Sequence, residues 1–517
     1  MNNLTVPSNS DAILPPDNVF VGRHLINGNW RNSSSGEVLE RYSPAHGFLV
    51  SRSARGDKPE TEAAIAAARQ AFSSGVWSQS SGRERAQILL KVADLIERDY
   101  KRIALYETME SGKPITQAQE EIQGAADMWR YAASLARTLR GDTYNSLGAE
   151  MLGLVLKQPV GVVSIITPWN FPFLIVSQKL PFVLAAGCTA VVKPSEFTPV
   201  TTVILGELLL EAGLPEGVVN IVLGSGDLVG SIMSTHPQVD MVTFTGSTEV
   251  GKAIVAATSK TLKKVSLELG GKNPQVIFSD ADLDSAVDAI VFGICFNAGE
   301  CCNSGSRIIV HKDVVQEVTE RVVALLQKVP CGDPLNPNTK VGAIISAEHM
   351  DKIHNYVTTA QASGATLEIG GEAMSIAGLA GTFYQPTVVS GVQAEMAIAR
   401  EEVFGPVLSV MTFTTFEEAI ELVNSTDYGL SAGVWSKNIH TCVEFARRAE
   451  AGTIWTNTWM DGFSELPFGG VKESGQGREL GYYGVEEFLE LKTVQIRVGN
   501  TRKAWISLRE STHFGLL

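Results

Sequence analysis

Gly161-Val162-Val163-Ser164-Ile165-Ile166-Thr167-Pro168-Trp169-Asn170 opens the stretch whose reading decides the fold. Val162–Ile166 is short, β-branched and apolar on both faces, and it stops in a polar loop. The pattern then repeats. Short apolar runs Ala190–Lys193, Val219–Val222, Met241–Phe244 and Lys264–Leu267 alternate with helical segments Phe171–Ala186, Val200–Ala212, Asp227–Ser234 and Glu249–Ser259. Strands without a polar face, separated by helix-length connections, predict a parallel sheet with right-handed crossovers. An open sheet of that kind receives ligands beyond the carboxyl ends of its strands, so chemistry is sought there.

Working outward, residues 1–18 are polar and carry Pro7, Pro15 and Pro16, as expected of a flexible lead-in. The Asn27-Gly28 pair inside Leu25–Trp30 predicts a β-hairpin. Ile88, Val92, Leu95, Ile96 and Ile103 recur at helical spacing between Gly82 and Gly112, and Gly112 and Pro114 supply the stop. After Glu268 the alternation restarts less regularly. Helical runs fall near 282–296, 312–328, 347–362, 415–424 and 438–449, and strands near 306–311, 406–413, 431–436 and 453–457. This predicts a second α/β unit. Leu152, Leu154 and Leu156, and later Val494, Ile496 and Val498, alternate as two lone strands whose edges need partners, which points to a subunit contact.

Composition narrows the function classes. A chain of 517 residues exceeds one core, so two or three domains are expected. The net charge of −14 argues against nucleic acid or an anionic membrane as partner. Six scattered Cys suggest no disulfide framework and a reducing, cytoplasmic setting. The eight His form no HExxH pattern, no CxxC pair is present, and no metal site is expected. The N-terminus has no signal-peptide character, and no apolar run reaches membrane-spanning length.

Each parallel strand ends in a polar or glycine-rich loop: Thr167–Pro172, Lys193–Glu196, Leu223–Gly226, Thr245–Gly251 and Glu268–Pro274. Gly246-Ser247 ahead of a helix offers free N–H groups and a positive dipole end to a diphosphate. Lys193 and Glu196 stand where a ribose would lie, and a carboxylate there accepts ribose hydroxyls but repels a 2′-phosphate. Further on, Asn297-Ala298-Gly299-Glu300-Cys301-Cys302-Asn303-Ser304-Gly305 sets two adjacent thiols in a polar, glycine-flanked turn between apolar runs. An isolated cysteine is more often a small buried hydrophobe, but a thiol in such a turn can be exposed and partly ionised, as a nucleophile requires.

Taken together, Trp169–Pro172, Lys193–Glu196, Phe244–Gly251, Glu268–Lys272, Gly299–Cys302, Glu401–Pro406 and Pro467–Gly475 resemble the signatures of the NAD(P)-dependent aldehyde dehydrogenase superfamily, in order, over residues 20 to 500. The resemblance implies an α/β fold: a Rossmann-like parallel-sheet cofactor domain (1–139 and 160–269), a second α/β catalytic domain (270–478) and a small β oligomerisation element with the C-terminal tail (140–159 and 479–517). By the same resemblance Cys302 is the nucleophile, Asn170 the oxyanion donor with the Cys302 N–H, and Glu268 the base that activates water. Lys179 and Glu479 match proton-relay positions. Cofactor contacts are expected from Ile166, Thr167, Pro168, Trp169, Lys193, Ser195, Glu196, Gly226, Phe244, Thr245, Gly246, Ser247, Leu269, Gly270, Glu402 and Phe404.

The implied reaction is NAD-dependent oxidation of an aldehyde to the free acid through a Cys302 thioester, by a homodimer or homotetramer. Two departures stand out. The usual Gln before the cysteine pair is Glu300, expected to turn away into backbone hydrogen bonds, and Thr458-Trp459-Met460-Asp461-Gly462-Phe463 stands where the substrate mouth is expected; Gln178 also takes a place where many relatives carry an aromatic. Trp169, Phe171, Phe173, Trp459, Phe463 and Phe468 suggest an aromatic-walled substrate entrance, with Trp169 and Trp459 placed to cage a cation or to pack an aliphatic or aromatic aldehyde. Betaine-type, amino-, hydroxy- and aromatic aldehydes all stay open. The alternatives are an acyl-transferring enzyme using coenzyme A, against which Glu268 argues; a non-catalytic binding or structural protein on the same fold; and a Cys-His hydrolase, for which no motif places a His.

Overall fold

The computed structural model describes residues 18–499 together with Ile13, Pro15, Trp505 and Ile506. The expected lead-in before residue 18 and the end of the C-terminal tail lie mostly outside the described residues. Most of the chain is organised by two sheets. In the first, the spatial order is Gly475–Gln476, Lys264–Glu268, Met241–Thr245, Val162–Ile166, Thr189–Lys193, Val219–Ile221, His24–Ile26 and Asn29–Arg31. The five central strands are parallel, and the outer pairings are antiparallel. The central strands are buried almost throughout, which is why they read as continuous apolar runs. The predicted hairpin at Asn27-Gly28 forms one edge, with both residues at positive φ.

Chain order reverses between Val162–Ile166 and Met241–Thr245, and this makes a crevice between their carboxyl-end loops. The helix predicted from Gly82 runs from Gly82 to Ser111, with a Ser81–Glu84 capping box at its start. A further helix, Ile115–Thr138, begins just past the expected stop and packs against it. The segment after Ser225 is a π-type turn, Gly226–Gly230, that leads into a short helix, Ser231–Thr235.

The second sheet has the order Thr366–Ile369, Thr387–Ser390, Val407–Phe413, Arg307–His311, Pro274–Ile277, Ser431–Trp435 and Thr453–Thr456. All its pairings are parallel except at Thr366–Ile369. The two strands expected to stand alone pair with each other: Met151–Pro159 runs antiparallel to Leu489–Arg497, and Asp142–Tyr144 adds a third strand. Among the described residues no helix is long and apolar enough to cross a membrane.

Candidate active site

The carboxyl-end rim of the first sheet faces the segment that delivers the thiols. Thr245 Oγ1 and Thr167 Oγ1, at the ends of the two strands that flank the crevice, are buried without a hydrogen-bond partner among the described residues. Gly246 follows at once, and a Cβ there would meet the Phe244 ring at 2.4 Å, so a bulkier residue could not follow this strand so closely. Ser247 then caps the Thr248–Thr258 helix, accepting from Val250 N. Leu269 packs on Gly251 of that helix. Orphan hydroxyls and a helix N-terminus at one topological switch point suit a dinucleotide diphosphate. Lys193 Nζ donates to Pro194 O at 2.9 Å and lies 3.4 Å from Glu196 Oε2. Burial lowers the Lys193 pKa, against the pull of Glu196. Gly230, at the end of the Gly226 turn, borders the Lys193 stem, and Ser195 Oγ accepts from Phe197 N.

The thiol segment enters from the other unit. The Leu283–Cys295 helix ends in a tight turn where Asn297 (φ 48), Ala298 (φ 53) and Gly299 (φ 72) lie in succession in the left-handed region. Only the last of these is a glycine, so the run needs external support. A Cβ on Gly299 would meet Gly405 O at 2.2 Å, so this turn is pressed against the Glu402–Gly405 loop. Asn273, at the amino end of the Pro274–Ile277 strand, clamps the turn: its Nδ2 donates to Cys302 O at 2.8 Å and Ser304 O at 3.0 Å, while its Oδ1 accepts from Ser431 N.

Cys302 is partly exposed and Cys301 is buried, with Cys301 Sγ donating to Asn303 Oδ1 at 2.8 Å. The expectation of a partly ionised thiol is corrected here. A hydrogen bond with Cys301 and burial push the Cys302 thiol well above its ordinary range, and Glu402 adds to the effect against the Asn303 backbone N–H. These neighbours disfavour a thiolate.

Asn170 Nδ2 donates to Glu300 O at 3.1 Å, which leaves its second amide proton for another acceptor. The Glu300 side chain turns away from the thiols: its Oε1 accepts from Ile345 N at 2.9 Å and lies 3.9 Å from His349 Nε2. Both oxygens of Glu268 are buried without partners among the described residues. Burial raises its pKa well above the carboxylate range; Glu479 and Cys302 add to this, while Lys179 opposes it. Lys179 pairs with Glu479 and donates to Thr243 Oγ1 at 3.0 Å, so a buried polar chain adjoins Glu268.

Glu402 is folded onto the glycine pair after Glu268. Its Oε1 accepts from Gly271 N at 3.0 Å, and a Cβ on Gly270 would meet Oε2 at 2.3 Å. Burial raises its pKa to about 7. Phe404, at φ 58, stacks edge-on with Trp169 at 5.4 Å, and His349 completes the ring cluster while Nε2 donates to Phe404 O at 2.7 Å.

The aromatic entrance differs from the sequence reading. Trp459 is only 4% exposed; it packs beside Gly293 and Gly433 and 4.9 Å from Trp455, so it cannot wall an entrance. Left-handed backbone at Asn457 and Met460 accompanies this inward turn. Phe463 is exposed, Phe468 is half-buried, and Phe173 lies fully in the core of the first unit. Beside the thiols stands an apolar cluster instead: Phe171, Ile175 and Cys301, with half-exposed Leu174, Phe296 and Met460. Phe292, 42% exposed, adjoins Phe296. Leu174 and Gln178, one helical turn apart, are the half-exposed positions of the Pro172–Ala186 helix. Met460 belongs to the segment 458–463 where the mouth was expected, whereas sequence reasoning missed Leu174, Phe292, Phe296, Asn273, Asn297 and His349. The signal available was the Phe292–Phe296 spacing, one helical turn ahead of the cysteines.

Comparison with known proteins agrees with this geometry. The model of the aldehyde dehydrogenase family matches residues 30–494. Betaine aldehyde dehydrogenase of Bacillus subtilis (strain 168) is 41% identical over 471 residues, 91% of this chain and 96% of that protein. Human retinaldehyde dehydrogenase 3 is 43% identical, over 92% of this chain and 93% of its own. Among solved structures, NAD-dependent aldehyde dehydrogenase from Sinorhizobium meliloti superposes with a TM-score of 0.93 at 48% identity, covering 96% of this chain and 100% of that one. Betaine aldehyde dehydrogenase from Staphylococcus aureus in complex with NAD+ gives 0.92 at 38% identity, covering 94% and 97%. With the family model matched over residues 30–494 and relatives 41% to 48% identical over more than nine-tenths of the chain, the protein belongs to the aldehyde dehydrogenase family and is an NAD-dependent oxidoreductase.

Proposed function

We propose that the chain oxidises an uncharged, apolar or aromatic aldehyde to the free carboxylic acid through a thioester on Cys302. The observation that carries this is the convergence of the partly exposed Cys302, the Asn170 amide and the buried, unpartnered Glu268 carboxyl at one crevice. Cys302 gives up its thiol proton and attacks the aldehyde carbon, and the free amide proton of Asn170, with the Cys302 N–H, meets the developing oxyanion. Such a donor lowers a barrier by about 3 kcal/mol. NAD supplies the hydride acceptor and, when bound, a positive ring that favours the thiolate. Glu268, once deprotonated, takes a proton from water, which cleaves the thioester to acid and free Cys302. The Lys179–Glu479 pair beside Glu268 takes that proton on. In sum, an aldehyde, NAD+ and water give a carboxylate, NADH and two protons.

For the cofactor, Lys193 and Glu196 hold the adenosine ribose, Gly246 and Ser247 the diphosphate, and Glu402 and Phe404 the nicotinamide riboside. Ile166 to Trp169, Ser195, Gly226, Phe244, Thr245, Leu269 and Gly270 line the path between. The substrate reading rests on the mouth. One face of Phe171 is taken by Lys113, whose Nζ lies 4.2 Å from the ring centroid, and Phe171 is stacked on Phe296 at 5.9 Å. With Trp459 also buried, two of the rings expected at the entrance have no open face for a quaternary ammonium. Relatives named for a cationic and for an apolar aldehyde are almost equally similar, so overall similarity does not choose between them. The test is kcat/KM for benzaldehyde, hexanal, an aminoaldehyde and betaine aldehyde with NAD and with NADP. Benzaldehyde or hexanal is expected to exceed betaine aldehyde by about tenfold or more, in line with the 1–3 kcal/mol of pocket discrimination. NAD is expected to beat NADP because of Glu196. NADH formation that needs coenzyme A, or none with any aldehyde, would overturn the free-acid reading.

The same reading divides the chain into a cofactor unit (1–139 and 160–269), a catalytic unit (270–478) and an oligomerisation element (140–159 and 479–517), in a reducing, cytoplasmic setting. Leu156 and Ile496, each 40% or more exposed, share one face of the three-stranded sheet with Leu152, Leu154 and Val494, and Val498 is exposed just beyond it. A solvent-facing apolar sheet face of this kind supports a dimer or a dimer of dimers. Light scattering at micromolar protein is expected to return a dimeric or tetrameric mass; a monomer would contradict it.

A further inference from the structure

The joint between the Gly82–Ser111 and Ile115–Thr138 helices buries an ion triad that the reaction does not use. Lys113 Nζ donates to Glu107 Oε1 at 2.9 Å and to Glu121 Oε2, with all three residues 7% exposed or less. A buried triad is weak evidence for stability in itself, because desolvation offsets its attraction. Its contacts, however, lead to the active site by two routes. On one side, Glu107 Oε2 accepts from Phe173 N at 3.3 Å, and Lys113 lies against the Phe171 ring. On the other, Glu121 Oε1 accepts from Gln117 Nε2 at 2.7 Å, which orients Gln117 so that its Oε1 accepts from Asn297 N at 3.0 Å.

Asn297 is the first of the three left-handed residues in the thiol turn. Its Nδ2 donates to Asn170 O at 3.0 Å and to Glu300 O at 2.9 Å, the same carbonyl that receives Asn170 Nδ2. The circuit therefore runs from Phe173 through Glu107, Lys113, Glu121, Gln117 and Asn297 back to Asn170. Gln117 is its one link from the helices to the thiol turn, and it is 7% exposed.

We infer that Gln117, held by the Lys113–Glu121 pair, is a positioning residue that aims the Asn170 amide through Asn297, while Asn273 holds the thiol turn itself. The inference rests on the proposed oxyanion role of Asn170. Gln117 touches neither substrate nor cofactor, so its removal acts on the oxyanion donor and leaves the thiol itself in place.

The experiment compares the parent enzyme, Gln117→Ala, Gln117→Glu and Asn170→Ala as full chains. Gln117→Ala is expected to lower kcat for benzaldehyde oxidation about 10- to 100-fold, less than the roughly 10²- to 10³-fold that outright loss of an oxyanion donor costs, with KM for NAD unchanged. Alkylation of Cys302 by iodoacetamide, a displacement that develops no oxyanion, is expected to stay within about twofold of the parent. Gln117→Glu keeps an acceptor for Asn297 N. It loses the amide donor to Glu121 Oε1, so activity above that of Gln117→Ala but below the parent is expected. Full activity in Gln117→Ala beside an inactive Asn170→Ala overturns the inference. Equal loss of oxidation and alkylation also overturns it, because the turn would then have been displaced as a whole. An Asn170→Ala variant as active as the parent removes the oxyanion reading and this inference with it. If Gln117→Ala aggregates, Gln117→Met, equal in length but without the acceptor, carries the same expectation.

Discussion

Cys302→Ala is expected to lower aldehyde-dependent NADH formation by roughly four orders of magnitude or more, the scale seen when a nucleophile is removed from a concerted site. Asn273 holds the thiol turn through the carbonyls of Cys302 and Ser304, and these bonds do not involve the sulfur. The variant should therefore fold and bind NAD like the parent, and fluorescence titration checks the second point. Stopped-flow absorbance of NADH checks the first. A turnover rate within tenfold of the parent would remove Cys302 from the reaction. The upward shift of the Cys302 thiol also predicts an order of events. With Cys301 and burial opposing ionisation, thiol reactivity should rise when NAD is added, since the cofactor brings positive charge into the site.

The second large effect belongs to Glu268. Glu268→Gln is expected to leave acylation intact and slow hydrolysis of the thioester by about 10²- to 10⁴-fold, the usual contribution of a general base. Rapid mixing should then show a burst of about one NADH per site followed by a slow steady state. The sign of the pH dependence follows from the raised pKa. The group serves as a base only when deprotonated, and burial with Glu479 holds its proton past the usual carboxylate range. Parent turnover limited by hydrolysis therefore rises with pH through the raised value and is lost on acidification. That limb should be missing in Glu268→Gln. Persistence of the limb, or absence of a burst, would assign the water-activating role elsewhere.

What could be read in the sequence follows burial. Val162–Ile166 and its four parallel partners were legible because a strand covered on both faces has no polar positions to blur its limits. Pro274–Ile277 was not. Its opening proline and the glycine-rich approach read as loop, yet it lies between Arg307–His311 and Ser431–Trp435 in the second sheet, where a proline is tolerated at the first strand position. The stop at Gly112 and Pro114 was read correctly as an end, but Pro114 also starts Ile115–Thr138, and that helix carries Gln117 and Glu121. The thiol turn was legible as a polar, glycine-flanked segment between apolar runs, and Cys302 and Glu268 took their roles from the family resemblance. The walls of the mouth were not legible. Trp459 and Phe296 look alike in sequence, and only the left-handed turns at Asn457 and Met460 bury one while the other stays beside the thiols.

The pairing of Met151–Pro159 with Leu489–Arg497 bears on how the chain is made. Lys157 meets Glu486 at a separation of 329 residues along the chain. At about 5–20 residues per second, a ribosome needs on the order of tens of seconds to cover that distance. Until then the Met151–Pro159 strand lacks its long neighbour, and Lys264–Glu268 lacks Gly475–Gln476 at the sheet edge. The first unit emerges early but closes last, which leaves strand edges unpaired during synthesis.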